Sequence, residues 1–180
     1  KTNNQLKKLT NKKIFIQPFW IDQRKFHYLH DKKSLRKKYK LNNESFLVGS
    51  FQRDTEGHDL ISPKLSKGPD KFLEIVKDLQ KTQNNLEVVL TGKRRNYLIK
   101  NFEENSINYK YFEMVDFATL NELYNILDLY IVSSRIEGGP RSVFECAQTE
   151  TPIISTDVGF ASEILAEESI YNFEDHLKAK

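Results

Sequence analysis

Runs of consecutive apolar residues alternate along this chain with stretches whose apolar positions recur every three or four residues. The runs are "KIFIQPFW" (13–20), "SFLVGSFQR" (45–53), "LEVVLTG" (86–92), "INYKYFEMV" (107–115), "DLYIVSS" (128–134), "PIIST" (152–156) and "SIYNF" (169–173). Between them stand "DKKSLRKKYKL", "PDKFLEIVKDLQ", "NYLIKNFEEN", "TLNELYNIL", the segment after Gly139 and "GFASEILA". In the second of these, Phe72, Ile75, Val76 and Leu79 fall at i, i+3, i+4 and i+7, and Pro69 occupies a first helical position. Asp31 precedes the first helical stretch as a cap. Strands and helices therefore alternate. The strands are continuous apolar runs rather than polar–apolar alternations, which predicts an α/β fold: a Rossmann-like parallel sheet covered by helices on both faces.

In such a sheet ligands bind beyond the carboxyl ends of the strands. The positions to weigh are thus Arg53, residues 92–95, residues 133–141 and residues 157–159. The segment "IEGGPRSVFE" (136–145) is the richest of them. Gly138 and Gly139 allow close backbone approach, and Pro140 starts a helix whose free N–H groups, around Arg141 and Ser142, make an anion site. Val143, Phe144 and Ala147 are expected on its apolar face, with Arg141, Glu145 and Gln148 on its polar one. Side chains lean toward a helix N-terminus, so Glu145 reaches back toward the space that Glu137 faces. An i, i+4 surface pair of Arg141 with Glu145 is the plainer alternative. Arg53 ends one strand and Lys67-Gly68 precede a helix, with a long loop between them. The two cations either face one phosphate group or are solvated separately. Lys93, Arg94 and Arg95 read as solvated, as three adjacent loop cations usually are.

Composition narrows the classes. The chain has 180 residues, 38% hydrophobic and 29% charged, enough for one cored domain. Its single cysteine, Cys146, makes no internal disulfide and reads as a core residue in a reducing, cytoplasmic compartment. Residues 1–40 hold 13 Lys/Arg against 2 Asp/Glu, and the remainder 15 against 23. A solvated linker is the first reading of that basic stretch, and peripheral contact with anionic membrane the second. Nothing supports nucleic-acid binding. No G-x-G-x-x-G follows a strand, no Walker lysine motif occurs, and His27, His30, His58 and His176 form no metal-ligand pattern.

"EGGPRSVFE" resembles the E-x7-E motif of retaining GT-B glycosyltransferases of family four, the group 1 transferases. "VGSFQR…KG", "LEVVLTG", "LNELYNILDLYIVSSRIEGG" and "TPIISTDVGFASEIL" are similar to that family's frame, in order, over nearly all of residues 13–172. The resemblance implies the C-terminal half of a GT-B fold. Residues 1–40 would be the interdomain linker and lead-in, and residues 41–180 the nucleotide-sugar-binding domain. The N-terminal acceptor domain has no counterpart in the chain. The donor would be a nucleoside diphosphate sugar, with no cofactor or metal, and the acceptor a glycan or lipid-linked sugar. The resemblance makes Glu137 the catalytic-site acid. It gives Arg53 and Lys67 to the diphosphate, and Gly138, Gly139, Arg141 and Ser142 to sugar or phosphate. Glu145 would take the ribose, and Met114 and Val115, beside Glu113, the base. Two departures stand out: Glu150 where the family often has Gly, and Phe160 in place of the second Gly of a common pair. Two rival readings remain at this point, a dehydrogenase- or epimerase-type nucleotide domain and a non-catalytic binding module.

Overall fold

The computed structural model describes residues 2–15 and 20–173. After a short helix α1 (Thr2–Lys7) come α2 (Lys32–Lys38), β1 (Phe46–Ser50), α3 (Pro69–Thr82), β2 (Leu86–Thr91), α4 (Asn96–Glu104) and β3 (Tyr109–Phe112). They are followed by α5 (Phe117–Asn125), β4 (Leu129–Val132), α6 (Arg141–Thr149), β5 (Ile153–Thr156), α7 (Ala161–Ile164) and β6 (Ile170–Tyr171). The six strands form one sheet in the order β3-β2-β1-β4-β5-β6, and every pairing is parallel. This is the expected Rossmann-like α/β fold. Of the run expected as a strand over 13–20, residues 13–15 are irregular, and the four residues after them lie outside the described ones.

Neighbouring residues on one strand serve opposite cores. Leu47, Val89, Tyr130 and Val132 pack with Leu123, Tyr124, Leu127 and Cys146, beneath α5 and α6. Val48, Val88, Leu90 and Ile131 pack with Phe72, Val76, Leu98 and Phe102, beneath α3 and α4. Both faces of each central strand are covered, so both parities must be apolar, and that is why the runs are continuous.

Polar staples tie α2 to the sheet. Asp31 caps α2 by accepting from the Ser34 N–H at 2.9 Å. Arg36 is buried and donates to the Ile126 carbonyl and to Asp128. Asp128 also accepts from Lys32 and from the Leu47 N–H. Burial would raise the Asp128 carboxyl, but these donors outweigh it and hold it below the ordinary carboxylate value. Among the described residues no helix is long and apolar enough to cross a membrane.

The sheet's order reverses at β1. The chain moves outward through β2 and β3, then returns to place β4 on β1's other side. The loops leaving β1 and β4 therefore diverge, and the crevice between them is the place where such sheets bind ligands.

Candidate functional site

A pocket of about 310 Å³ opens at that crevice. It is lined by Phe51 and Gln52 beyond β1, Tyr130 of β4, Tyr124 of α5, and Glu137, Gly139, Pro140, Arg141, Ser142 and Glu145 around the start of α6. Its apolar wall is an aromatic group. The Phe51 ring meets Tyr124 and Tyr130 edge-on, at centroid distances of 4.8 and 5.3 Å. The Tyr130 hydroxyl accepts the Phe51 N–H at 3.0 Å, so the chain leaving β1 is tied to β4.

Lys67 and Glu137 meet at the pocket's edge as an ion pair. Lys67 closes a single 3-10 turn (Leu65–Lys67), and its carbonyl accepts from Gln52 at 3.0 Å and Ser133 at 3.1 Å. Gly68 follows in the left-handed conformation, φ 60°, where a Cβ would lie 1.8 Å from the Ser133 carbonyl oxygen. Only glycine permits that approach. The second carboxylate oxygen of Glu137, Oε2, is buried and makes no hydrogen bond; among the described residues no other buried side-chain nitrogen or oxygen is left so.

Helix α6 begins at Pro140, which offers no capping side chain. The Val143 N–H turns back to the Pro140 carbonyl, which leaves the Arg141 and Ser142 N–H groups to face outward. One turn further, Glu145 is 9% exposed and accepts from the Tyr124 hydroxyl at 2.6 Å. Arg141 Nε stands 4.0 Å from its other oxygen and is largely exposed. Burial raises the Glu145 carboxyl above its ordinary value, against the opposing pull of Tyr124 and Arg141. Burial also holds the Tyr124 hydroxyl well above its ordinary pKa, so it stays a donor. The helix's inward side is Val143, Glu145, Cys146 and Thr149, whereas Ala147 is exposed. The expected split of α6 into apolar and polar faces is thus corrected: Glu145 lies on the inward side, where α5 supplies its partner. Cys146 is a buried core thiol, which burial pushes up in pKa.

Of the residues singled out in the sequence, Glu137, Gly139, Arg141, Ser142 and Glu145 line the pocket, and Lys67 joins them through Glu137. Gly138 is exposed beside it. The two expected diphosphate cations each have a protein partner. Arg53 is exposed and donates from Nε to the Thr55 carbonyl at 2.7 Å, while Lys67 is held by Glu137. Met114, 66% exposed, and half-buried Val115 are not among the lining residues. Phe160 fills the space beside Gly139 and stacks on Phe144 at 5.0 Å, so its size is matched by a glycine opposite. Arg95 is not solvated. It is 1% exposed, paired with Asp54 at 2.6 Å and bonded to the Ser50 and Thr91 carbonyls. The sequence reading also missed Gln52, Phe51 and Tyr130. The one available signal was the loss of apolar character at Gln52, which marks where β1 ends and the site begins.

Residues 31–175 match the family described as Glycosyl transferases group 1. The chain belongs to that family. No curated protein sequence matches this glycosyltransferase domain. Its fold is shared with solved structures. The sucrose-phosphate synthase tll1590 of Thermosynechococcus elongatus aligns at a TM-score of 0.69 and 16% identity, over 88% of this chain and 40% of the synthase. The C-terminal domain of the group 1 family protein LpcC from Francisella tularensis aligns at 0.67 and 16% identity, over 83% of this chain and 76% of that one. Anabaena Alr3699/HepE, in complex with UDP-glucose, aligns at 0.64 and 18% identity, over 82% and 40%. The glycosyltransferase domain thus spans less than half the length of the synthase and of the Anabaena protein.

Proposed function

We propose that this domain holds the nucleoside diphosphate sugar of a glycosyltransferase that passes the sugar, with retention, to a glycan or lipid-linked acceptor bound by a second domain. The observation that carries the reading is the unsatisfied Glu137 Oε2 in the pocket wall. Leaving a buried acceptor unpaired costs about 1–3 kcal/mol, which a ligand hydroxyl recovers once the Glu137 side chain turns that oxygen into the pocket. The surroundings suit the rest of such a donor. Lys67 and the uncapped start of α6 supply positive charge for a diphosphate, and the helix dipole adds to it. Glu145, oriented by Tyr124, offers an acceptor for ribose hydroxyls. Charge that develops on the departing diphosphate would be met by donors already in place, which lowers the barrier without reorganisation. Arg53, Met114 and Val115 stay in the proposal as groups that reach the donor after a change of rotamer or loop position.

Calorimetric titration of the domain with UDP, GDP, ADP, UDP-glucose and NAD tests this. We expect one nucleoside diphosphate to bind and NAD not to. Its sugar conjugate should bind more tightly than the diphosphate, and Glu137→Ala should abolish that difference. Binding of NAD alone, or of none of the five, would refute the reading.

A further inference from the structure

Arg135 stands two residues before Glu137, in the loop that leaves β4. Its contacts tie two loops together. The guanidinium forks onto Asp70, with Nη1 2.7 Å from one carboxylate oxygen and Nη2 2.5 Å from the other. Nη1 also donates to the Leu65 carbonyl at 3.0 Å. The Arg135 and Ile136 N–H groups both reach the Ser66 carbonyl, at 2.9 and 3.2 Å. The Phe173 ring lies 5.0 Å from the guanidinium carbon. Asp70 is itself well placed, in the first turn of α3, where the helix dipole favours a carboxylate. Burial would raise its pKa, but the ion pair with Arg135 outweighs that and lowers it.

These bonds join two segments that each carry half of the Lys67–Glu137 pair. One is the 3-10 turn and the start of α3, residues 65–70. The other is the loop after β4, residues 133–137. We infer that Arg135, forked onto Asp70, is a positioning residue: it sets Lys67 against Glu137, and through them the donor's diphosphate and sugar, while touching neither. A planar fork fixes direction as well as distance, which lysine does not do. The Gln52 and Ser133 bonds to the Lys67 carbonyl restrain the same turn from the pocket side, so losing Arg135 should displace Lys67 rather than unfold the domain.

The inference rests on the donor-site reading above, and its test separates the two. Affinity for UDP, GDP and ADP is measured by calorimetry, beside melting temperature, for the parent, Arg135→Gln, Asp70→Asn, Lys67→Ala and the double variant Lys67→Ala/Arg135→Gln. Arg135→Gln and Asp70→Asn should each weaken binding about tenfold, and the double variant should bind no more weakly than Lys67→Ala, since residues acting through one another are not additive. Parent-like affinity in both single variants, or additive losses in the double, would overturn the positioning role while leaving the donor site standing. Should the parent bind none of the three, the donor reading fails, and acetylation of Lys67 followed by mass spectrometry decides the geometry alone. Lys67 should then label severalfold faster in Arg135→Gln than in the parent, with exposed Lys93 as the internal control. An unchanged rate would dismiss the inference. If Arg135→Gln does not fold, Asp70→Asn carries each comparison.

Discussion

Glu145 is a carboxylate whose burial bears on stability and, on the donor-site reading, on binding. Its raised pKa means the folded chain holds the proton more tightly than the unfolded chain does. The carboxyl therefore favours folding at acid pH, and that contribution is lost as pH rises through the unfolded value toward the folded one. Glu145→Gln keeps an acceptor for Tyr124 and removes the charge. It should melt a few degrees higher than the parent at pH 7, with the gap closing as pH falls below the ordinary glutamate range, and should bind nucleoside diphosphate more weakly. Differential scanning calorimetry across pH, with titration at pH 7, checks both halves; a lower melting point at pH 7 would mean the charged form is structurally required. Glu150 makes a simpler case. It caps α6 in the left-handed region, φ 54°, and is exposed. Glu150→Gly should gain about 0.5–1 kcal/mol in urea unfolding, since glycine adopts that conformation without a Cβ penalty. Both acids of the E-x7-E motif were legible in the sequence, because spacing alone sets them on either side of a helix start. The partners of Arg95 and Arg135 were not legible. Asp54 lies 41 residues from Arg95 and Asp70 lies 65 from Arg135, and nothing local marks either cation as paired.

At the level of the element, the start of α6 is the telling feature. Asp31 and Asp116 cap α2 and α5 with their side chains, a contribution of about 0.5–2 kcal/mol, whereas α3, α4 and α6 have no such cap, and of these α6 is the one whose first residues line the pocket. Pro140→Asp should raise the melting temperature and weaken nucleoside diphosphate binding tenfold or more, because the new carboxylate would occupy the donors that the phosphates need. If the variant binds as the parent does, the anion site is elsewhere. The turn before α3 has no such latitude. Gly68→Ala, driven against the Ser133 carbonyl, should cost about 2–4 kcal/mol, whereas Gly138→Ala, with nothing within 4 Å of the added methyl, should stay within about 0.5 kcal/mol of the parent. Thermal and urea denaturation of the two variants makes the comparison. The central strands could be read from the sequence because two covered faces leave few polar positions in them, Glu87 of β2 and the serines and threonines at the strand ends. The edge strand β3 could not be bounded the same way. The apolar run there covers nine residues, yet only Tyr109–Phe112 pair, and all four are half-buried. Met114 and Val115 extend the run in composition but belong to the turn before α5.

Taken as a whole, the molecule is a sheet with a pocket at the carboxyl ends of β1 and β4. On the donor-site reading the assigned groups stand beyond the carboxyl ends of β1, β3 and β4 and before α3, a second domain would bind the acceptor, and catalysis needs both reactants held in register. The domain should therefore fold alone, bind a nucleoside diphosphate as well in EDTA as in magnesium, since Lys67 and α6 supply the positive charge, and transfer no sugar. Calorimetry in both buffers and a radiolabelled transfer assay test this; turnover by these 180 residues would overturn the two-domain reading. The strand order has a further consequence, for the chain as it is being made. On the ribosome β1 can pair with β2, and β2 with β3, soon after they emerge, but the other neighbour of β1 is β4, with 79 residues separating Phe51 from Tyr130. At about 5–20 residues per second, the side of β1 that β4 covers stays unpaired for roughly 4–16 s after β1 is made. The core beneath α5 and α6 cannot close until then, since Leu123, Tyr124, Tyr130 and Cys146 have not yet been synthesised. During that interval apolar surface and a strand edge that the finished fold covers stand open to misassembly.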